Sequence, residues 1–214
     1  MMRTILNAAA EPAHDAFVEK KSEFIGDACH VDDLGEALAF VERIRETHPK
    51  SRHVAYAAIV TDETGRVMER MSDDGEPSGT AGKPILDVLR ANELTDCAVA
   101  VTRYFGGILL GSGGLIRAYS TGASLAVKAA RKASIVQCRR YLVRLDYAQL
   151  GAFQQLLALV DGAQLDAAFT DHVEIECAVP ADMEHRFADR VRETFNANVV
   201  PEPLGLVARP VEER

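Results

Sequence analysis

The pattern of apolar and polar residues in the first two thirds of the chain predicts alternating strands and helices. Asp32 or Asp33 is the expected cap of the first helix, which His48 and Pro49 end. The last predicted strand is an apolar run, as in strands buried on both faces. The strands are predicted at residues 23–31, 53–61, 66–71 and 97–104, and the later helices at 85–91 and 115–131.

The pattern restarts after residue 140 and predicts the order β-α-β-β-α-β, which is that of a ferredoxin-like domain. We place a domain boundary near residues 136–139, dividing the chain into residues 1–137 and 138–214. The strands are predicted at residues 141–147, 164–169, 173–179 and 199–203, and the helices at 150–160 and 181–196.

The composition, 48% hydrophobic and 26% charged residues, is typical of a soluble globular protein. No stretch approaches the roughly 20 apolar residues of a membrane helix, and the N-terminus does not resemble a signal peptide. Four dispersed cysteines support neither a zinc site nor a disulfide framework. We therefore expect a cytoplasmic protein without membrane partners.

The charge is unevenly distributed along the chain. The formal net charge is −8, yet residues 97–145 contain no Asp or Glu. One interpretation is a locally basic surface that binds an anion or RNA. The other is that Lys128, Arg131 and Lys132 simply complement a helix C-terminus. The basic residues of this window are Arg103, Arg117, Lys128, Arg131, Lys132, Arg139, Arg140 and Arg144.

Residues 72–84 form the first candidate segment, which is acidic and rich in small residues. Asp73, Asp74 and Glu76 repel one another unless they face water, a cation or hydrogen-bond donors. The favoured interpretation is a solvated turn followed by a helix cap at Thr80. The alternative is a site that binds Mg²⁺, a ligand or a partner. Lys83 follows Gly82 as in a P-loop, but prolines occupy positions that the P-loop needs for Gly and Ser or Thr.

Residues 103–119 form the second candidate segment, with five glycines in the nine residues from 106 to 114. Such glycines permit sharp turns or close approach, and here they lead into a helix N-terminus, which favours an anion. Arg103 and Arg117 would add charge, and Tyr104 and Tyr119 would stack or position a partner. The alternative is a tight strand-to-helix corner with packed aromatic residues.

No catalytic residue, metal site or cofactor is predicted. The histidines form no metal-binding pattern, and there is no nucleophile elbow. His53 is the best candidate for a histidine in a site, although a structural role is favoured for it. The candidate binding residues are Asp73, Asp74, Glu76, Thr80, Lys83, Arg103, Tyr104, Gly106, Gly107, Gly113, Gly114, Arg117 and Tyr119.

At these two segments, and at residues 20–25 and 48–53, the chain resembles the IMPACT family, specifically its bacterial YigZ branch. The resemblance implies an α+β protein with an N-terminal ribosomal protein S5 domain 2-like domain and a C-terminal domain similar to a ferredoxin-like domain of EF-G. It also implies a role around translation. The match begins at residue 20, so we do not expect the extra N-terminal domain of the eukaryotic kinase regulators. We also reject proline dipeptidase activity, because no metal-binding set is present.

Three functions remain open. The first is a regulatory or binding protein of translation that contacts RNA, the ribosome or a related protein through both segments. The second is an enzyme of phosphoryl chemistry that uses Asp73, Asp74, Glu76 and the Gly-rich loop. The third is a protein-interaction domain whose acidic loop binds a basic partner. We favour the first, and thus a non-enzyme, and leave the oligomeric state open.

Overall fold

The structure of the chain is a computed structural model that describes residues 2–62 and 64–212. Contacts divide these residues into an N-terminal unit, residues 2–134 with Glu212, and a C-terminal unit, Ile135–Val211. The chain is therefore a two-domain α+β protein, as expected. No helix among the described residues is long and apolar enough to cross a membrane.

The N-terminal unit contains a five-stranded antiparallel sheet in the order β2-β3-β6-β4-β5. A further short strand, β1, pairs with the first residues of β7, which continues into the C-terminal unit. The elements are β1 (Arg3–Ile5), β2 (Ala13–Glu19), β3 (Ser22–His30), α1 (Leu34–Thr47), β4 (His53–Thr61), β5 (Val67–Ser72), α2 (Gly82–Ala91), β6 (Cys97–Tyr104), α3 (Ser112–Ala129) and β7 (Lys132–Leu145).

Both faces of this sheet are covered, which explains the apolar run in β6. On one face Val99 and Val101 pack with apolar residues of α2 and α3. On the other face Ala98 and Ala100 pack with residues of α1. The central strand therefore has no solvated face, as its sequence predicts. This arrangement agrees with the ribosomal protein S5 domain 2-like fold that the resemblance implies.

Helix α3 lies unusually close to the sheet. A Cβ atom on Gly26 of β3 would lie 2.3 Å from the carbonyl oxygen of Gly122, so only glycine permits this approach at residue 26. The close packing fixes the position of α3 against β3. The start of α3 consequently lies beside the ends of the central strands, where the candidate site is formed.

The C-terminal unit forms a sheet in the order β10-β7-β9-β8, in which β7 and β8 each pair antiparallel with β9. Two helices supply the other half of its core, with Phe153 and Phe187 fully buried. This is the predicted ferredoxin-like order. The further elements are α4 (Leu150–Leu159), β8 (Ala163–Phe169), β9 (Val173–Pro180), α5 (Glu184–Thr194) and β10 (Glu202–Glu212).

Several predicted elements differ from the structure. Strands β1 and β2 lie before residue 22, where the sequence predicts no element. The residues at the expected domain boundary, 136–139, lie within the continuous strand β7, and the two units divide between residues 134 and 135. Helix α3 begins at Ser112, three residues before its predicted start, and the final strand begins at Glu202 and extends to Glu212.

Candidate functional site

The two candidate segments meet at one end of the N-terminal sheet. Residues 72–84 connect β5 to α2, and residues 103–119 connect β6 to α3. Because β4 lies between β5 and β6, the start of β4 lies between the two segments. His53, the first residue of β4, is paired in register with Arg103 of β6. The strand order therefore brings together segments that are distant in sequence.

A buried cluster of three polar side chains joins the segments. Arg103 Nη1 donates to Glu76 Oε1 at 2.6 Å, and the Tyr119 hydroxyl donates to the same oxygen at 2.8 Å. The side chains of Arg103 and Glu76 are only 7% and 4% exposed. Charge-assisted bonds in such a dry environment are strong, and the loss of one partner is costly.

Aromatic rings surround the guanidinium group of Arg103. Its Cζ lies 5.5 Å from the ring centre of Phe24 and 5.4 Å from that of Phe105. The ring of Tyr119 packs edge-on against Phe24, with centroids 5.3 Å apart. Burial, and then the adjacent Glu76 carboxylate, raise the pKa of Tyr119, so its hydroxyl stays protonated and serves as a donor.

Asp73 caps helix α2. Its Oδ1 accepts from the N–H groups of Ala81 and Gly82 at 2.9 and 2.8 Å, and its Oδ2 accepts from Gly79 at 2.8 Å. Burial by itself raises the pKa of Asp73, but these three bonds outweigh it and the pKa is lowered. The prediction of a cap at Thr80 is wrong, because the Thr80 hydroxyl donates to the Pro77 carbonyl at 2.7 Å.

Asp74 is bound by Arg45 and by the backbone of β4. Arg45 reaches its two carboxylate oxygens at 2.7 and 3.0 Å, and the N–H of Val54 donates to Oδ2 at 2.6 Å. Burial by itself raises the pKa of Asp74, but the hydrogen bonds from Arg45 and Val54 outweigh it, and the pKa is lowered. The carboxylates of Asp73 and Asp74 are thus occupied by protein donors and are not left to water or a cation.

His53 is held with one ring nitrogen towards the cluster. Its Nδ1 lies 2.7 Å from the carbonyl oxygen of Asp74, and since a carbonyl only accepts, Nδ1 carries the proton. Its Nε2 lies 4.0 Å from Glu76 Oε1. His53 therefore has the structural role that was favoured for it, through its bond to the backbone of Asp74, and its ring also borders a cavity.

The cavity has a volume of about 410 Å³ and lies between the cluster and the start of α3. Arg52 at its edge is exposed and has no ion pair among the described residues. Apolar side chains form most of the remaining wall. The lining residues are Arg52, His53, Glu76, Pro77, Arg103, Phe105, Leu109, Leu110, Gly111, Ser112 and Leu115.

Two glycines of the loop have a clear structural reason. A Cβ on Gly106 would lie 2.0 Å from the backbone of Lys21, and the N–H of Gly106 donates to the Ser22 hydroxyl at 3.2 Å. Gly111 has a φ of +71° and precedes the first residue of α3. Gly107 lies in the loop between them, while Gly113 and Gly114 belong to the first turn of α3.

The first turn of α3 is open at its amino end. No side chain caps it and no acidic residue lies in it. In the part of the chain that the structure describes, the N–H groups of Ser112, Gly113 and Gly114 have no acceptor. Ser112 lines the cavity, so the positive end of the helix dipole is directed at this space.

Of the candidate binding residues, Glu76 and Arg103 line the cavity, and three others lie on different surfaces. Lys83 is exposed and pairs with Asp87 at 2.6 Å on the surface of α2. The hydroxyl of Tyr104 lies 3.0 Å from Nδ1 of His48, because Tyr104 and Arg103 point to opposite faces of β6. Arg117 is exposed and lines a different depression. The structure thus does not bring these three side chains to the cavity.

Most of the basic side chains in the acid-free window, residues 97–145, are paired and do not form a free basic surface. Arg103 pairs with Glu76, and four more arginines pair with carboxylates outside the window. Of the remaining cations, only Lys128 lies in the last turn of a helix. The pairs are Arg131 with Glu212, Arg139 with Glu184, Arg140 with Glu176, and Arg144 with Glu174 and Glu202.

Sequence reasoning did not select several residues of the cavity. Arg52 and Phe105 flank selected residues, and Ser112 lies inside the second segment. A signal was available for Arg52, because residues 48–53 carry part of the family resemblance. Within residues 2–62 and 64–212, no group of three or more His, Cys, Asp or Glu side chains is arranged to hold a metal ion.

Family models match both units of the chain. The model described as the Impact N-terminal domain matches residues 20–127, which include both candidate segments. The model described as a domain of unknown function, DUF1949, matches residues 143–198.

Individual relatives span most of the chain. It is 35% identical over 181 residues to an IMPACT family member of Haemophilus influenzae, covering 85% of this chain and 88% of that protein. It is 37% identical over 174 residues to the IMPACT family member YigZ of Escherichia coli, covering 80% and 84%. A crystal structure of a hypothetical protein aligns with a TM-score of 0.59 and 31% identity, covering 95% of this chain and 98% of that chain.

Replacing Glu76 by Gln should destabilise the N-terminal unit strongly. The change leaves the buried Arg103 charge uncompensated, at a cost of about 3–5 kcal/mol. Urea unfolding provides the measurement. The matched control is Glu69→Gln, which removes the surface partner of Arg90 and should cost less than about 1 kcal/mol. Equal losses in the two variants would contradict the importance of the buried pair.

Replacing Asp73 by Asn should destabilise the protein at neutral pH, by about 0.5–2 kcal/mol for a lost helix cap. Because the folded pKa of Asp73 is lowered, its contribution is present above the unfolded value of about 3.9 and is lost as the pH falls through the folded pKa. Unfolding free energies of the two proteins should therefore converge in acid.

The control for this experiment is Asp189→Asn, since the Asp189 side chain is 63% exposed and forms only a surface pair with Arg192. Its stability should differ little from the wild type at any pH. A difference between wild type and Asp73→Asn that stays constant from neutral pH into acid would be evidence against the capping role.

Proposed function

This chain belongs to the IMPACT family, and from that premise we propose that it is a translation-associated binding protein whose partner docks at the cavity between residues 72–84 and 103–119. The observation that carries the proposal is the buried Glu76–Arg103–Tyr119 cluster, which holds both segments around an open cavity. The family's association with translation supports the biological setting.

Exposed apolar side chains beside the cavity favour docking of a macromolecule. Leu109 is 82% exposed and Ile108 is 41% exposed, and both lie in the loop that precedes α3. Apolar groups clustered at the rim of a cavity are typical of interaction surfaces. The neighbouring Arg52 and the open end of α3 add donors for an anionic group. The partner surface should thus combine apolar and anionic groups.

The alternative functions of the acidic loop have less support. A phosphoryl-transfer enzyme would use the carboxylates of Asp73 and Asp74 to hold Mg²⁺, but these bind backbone N–H groups and Arg45. The same bonds leave little free negative charge for recognition of a basic partner. Glu76 is neutralised by Arg103. Binding through the cavity and its apolar rim remains the function with the best support.

The ribosome is the partner we propose to test first, because it presents anionic RNA and protein at one surface. Purified protein should co-sediment with ribosomes. Leu109→Asp should weaken this by about 2 kcal/mol, roughly 30-fold, if Leu109 is a central contact. The control is Leu159→Asp, an exposed leucine at 61% in the C-terminal unit, which should bind as the wild type does.

The salt dependence identifies the contacts. If contacts to RNA phosphates dominate, the logarithm of the binding constant falls steeply with the logarithm of the salt concentration, by roughly 0.7–0.9 per phosphate contacted. A shallow slope indicates a ribosomal or ribosome-associated protein as the contacted surface. Absence of co-sedimentation, or an equal effect of the two leucine substitutions, would argue against docking at this loop.

A further inference from the structure

We propose that an acidic peptide segment of a protein partner, carrying at least two apolar side chains, lies across the first half of α3 and occupies two neighbouring depressions. One is the cavity that His53 and Arg103 line, and the second lies between α3 and the end of β2. Occupation of the cavity rests on the proposed binding function, to which the second depression and the chemical class of the partner are added.

The two depressions form one continuous surface. The second has a volume of about 250 Å³, and Leu110 lines both, so its side chain is a wall that they share. Ser112 at the cavity and Thr121 at the second depression lie nine residues apart on α3, about 14 Å along the helix axis. An extended peptide covers that distance with about four residues.

Exposed aliphatic side chains beside this surface favour a protein partner over nucleic acid. Leu109 and Ile108 precede α3 and are 82% and 41% exposed, and Ile116 is 42% exposed one turn after Ser112 on the same face. Single strands of nucleic acid bind largely by stacking bases on aromatic rings, whereas aliphatic side chains form most of this patch. Clustered apolar groups of this kind are typical of surfaces that bind the apolar side chains of another protein.

The charges along the surface favour an acidic segment. Arg52 lies at the cavity, and Lys20 and Arg117 lie at the second depression. All three are exposed and have no ion pair among the residues that the structure describes. Together with the buried ion pair of the cluster and with Glu19, the lining carries four cations and two carboxylates. Its formal charge is therefore +2, on a chain whose net charge is −8.

His53 distinguishes a peptide from a simple anion. Its Nδ1 donates its proton to the Asp74 carbonyl, so Nε2 presents a lone pair to the cavity. This atom accepts a hydrogen bond and does not donate one to the oxygen of an anion. A peptide supplies both kinds of partner that the surface requires, which are backbone N–H groups for Nε2 and side-chain carboxylates for the cations.

Selection from a displayed library of random decapeptides tests the chemistry of the partner without choosing a sequence in advance. The full chain should enrich peptides that carry Asp or Glu together with two apolar residues about three to five positions apart, the spacing that the two depressions require. Enrichment of basic or uncharged sequences, or of no sequence, would overturn the proposal.

Charge reversals at the two ends of the surface test whether the peptide spans both depressions. Arg52→Glu and Arg117→Glu should each weaken binding of a selected peptide at least about tenfold in fluorescence anisotropy, because a like charge then faces its carboxylates. The matched control is Arg70→Glu, an exposed arginine of β5 that lines neither depression and should bind as the wild type does. Because all three side chains are exposed, the unfolding temperatures should stay unchanged.

The outcomes distinguish this proposal from the proposed function. Equal losses in Arg70→Glu and Arg117→Glu would overturn the peptide surface. A loss only in Arg52→Glu would confine the partner to the cavity, which overturns the two-depression surface and leaves the proposed function intact. A short oligoribonucleotide at equal concentration should not displace the peptide, and displacement would identify nucleic acid as the occupant instead. If no peptide binds but ribosome binding still depends on Leu109, the peptide surface fails and the proposed function survives.

Discussion

The buried ion pair between Glu76 and Arg103, with the Tyr119 hydroxyl on the same oxygen, is the interaction on which the candidate site depends. Removal of two charges from water costs several kcal/mol per ion, so the pair forms only where the geometry is fixed. Glu76 comes from the turn after β5, Arg103 from the end of β6 and Tyr119 from the body of α3. The pair therefore constrains the relative positions of these three elements.

The same constraint explains why a charged, Gly-rich sequence gives an ordered site. Asp73 fixes the start of α2, and Asp74 ties the turn to α1 and β4 through Arg45 and Val54. Close approach of Gly106 to Lys21 directs the chain away from β6 and into α3. The ordered charges serve the fold, and what remains exposed is an apolar rim, one cation and the open end of a helix. That combination is the basis of the proposed binding function.

Several features could be predicted because their cause is local. Strands β4 and β6 begin and end where the apolar pattern predicts. Strand β2 could not be predicted, because it is an edge strand with mostly exposed residues. It joins β3 through a two-residue turn of Lys20 and Lys21, which both have positive φ. Such turns are normally recognised by Asn-Gly, and Lys-Lys gives no such signal. The last strand, β10, is likewise largely exposed.

The candidate site was predicted as two segments and not as a set of contacts. Their sequences show the Gly-rich corner and the acidic turn, yet the pairing of Arg103 with Glu76 depends on the strand order, which places β4 beside β6. For the same reason the sequence could not show that Tyr104 faces away from Arg103. Nor could it show that cations of the acid-free window meet carboxylates from distant strands and helices.

A double-mutant cycle measures the central interaction most directly. The unfolding free energies of wild type, Glu76→Gln, Arg103→Met and the double variant give the coupling between the two side chains. The buried pair predicts strong non-additivity, with the double variant more stable than the sum of the single effects by about 1–3 kcal/mol. Additivity within about 0.5 kcal/mol would contradict the account, because the two segments would then not be held together by this pair.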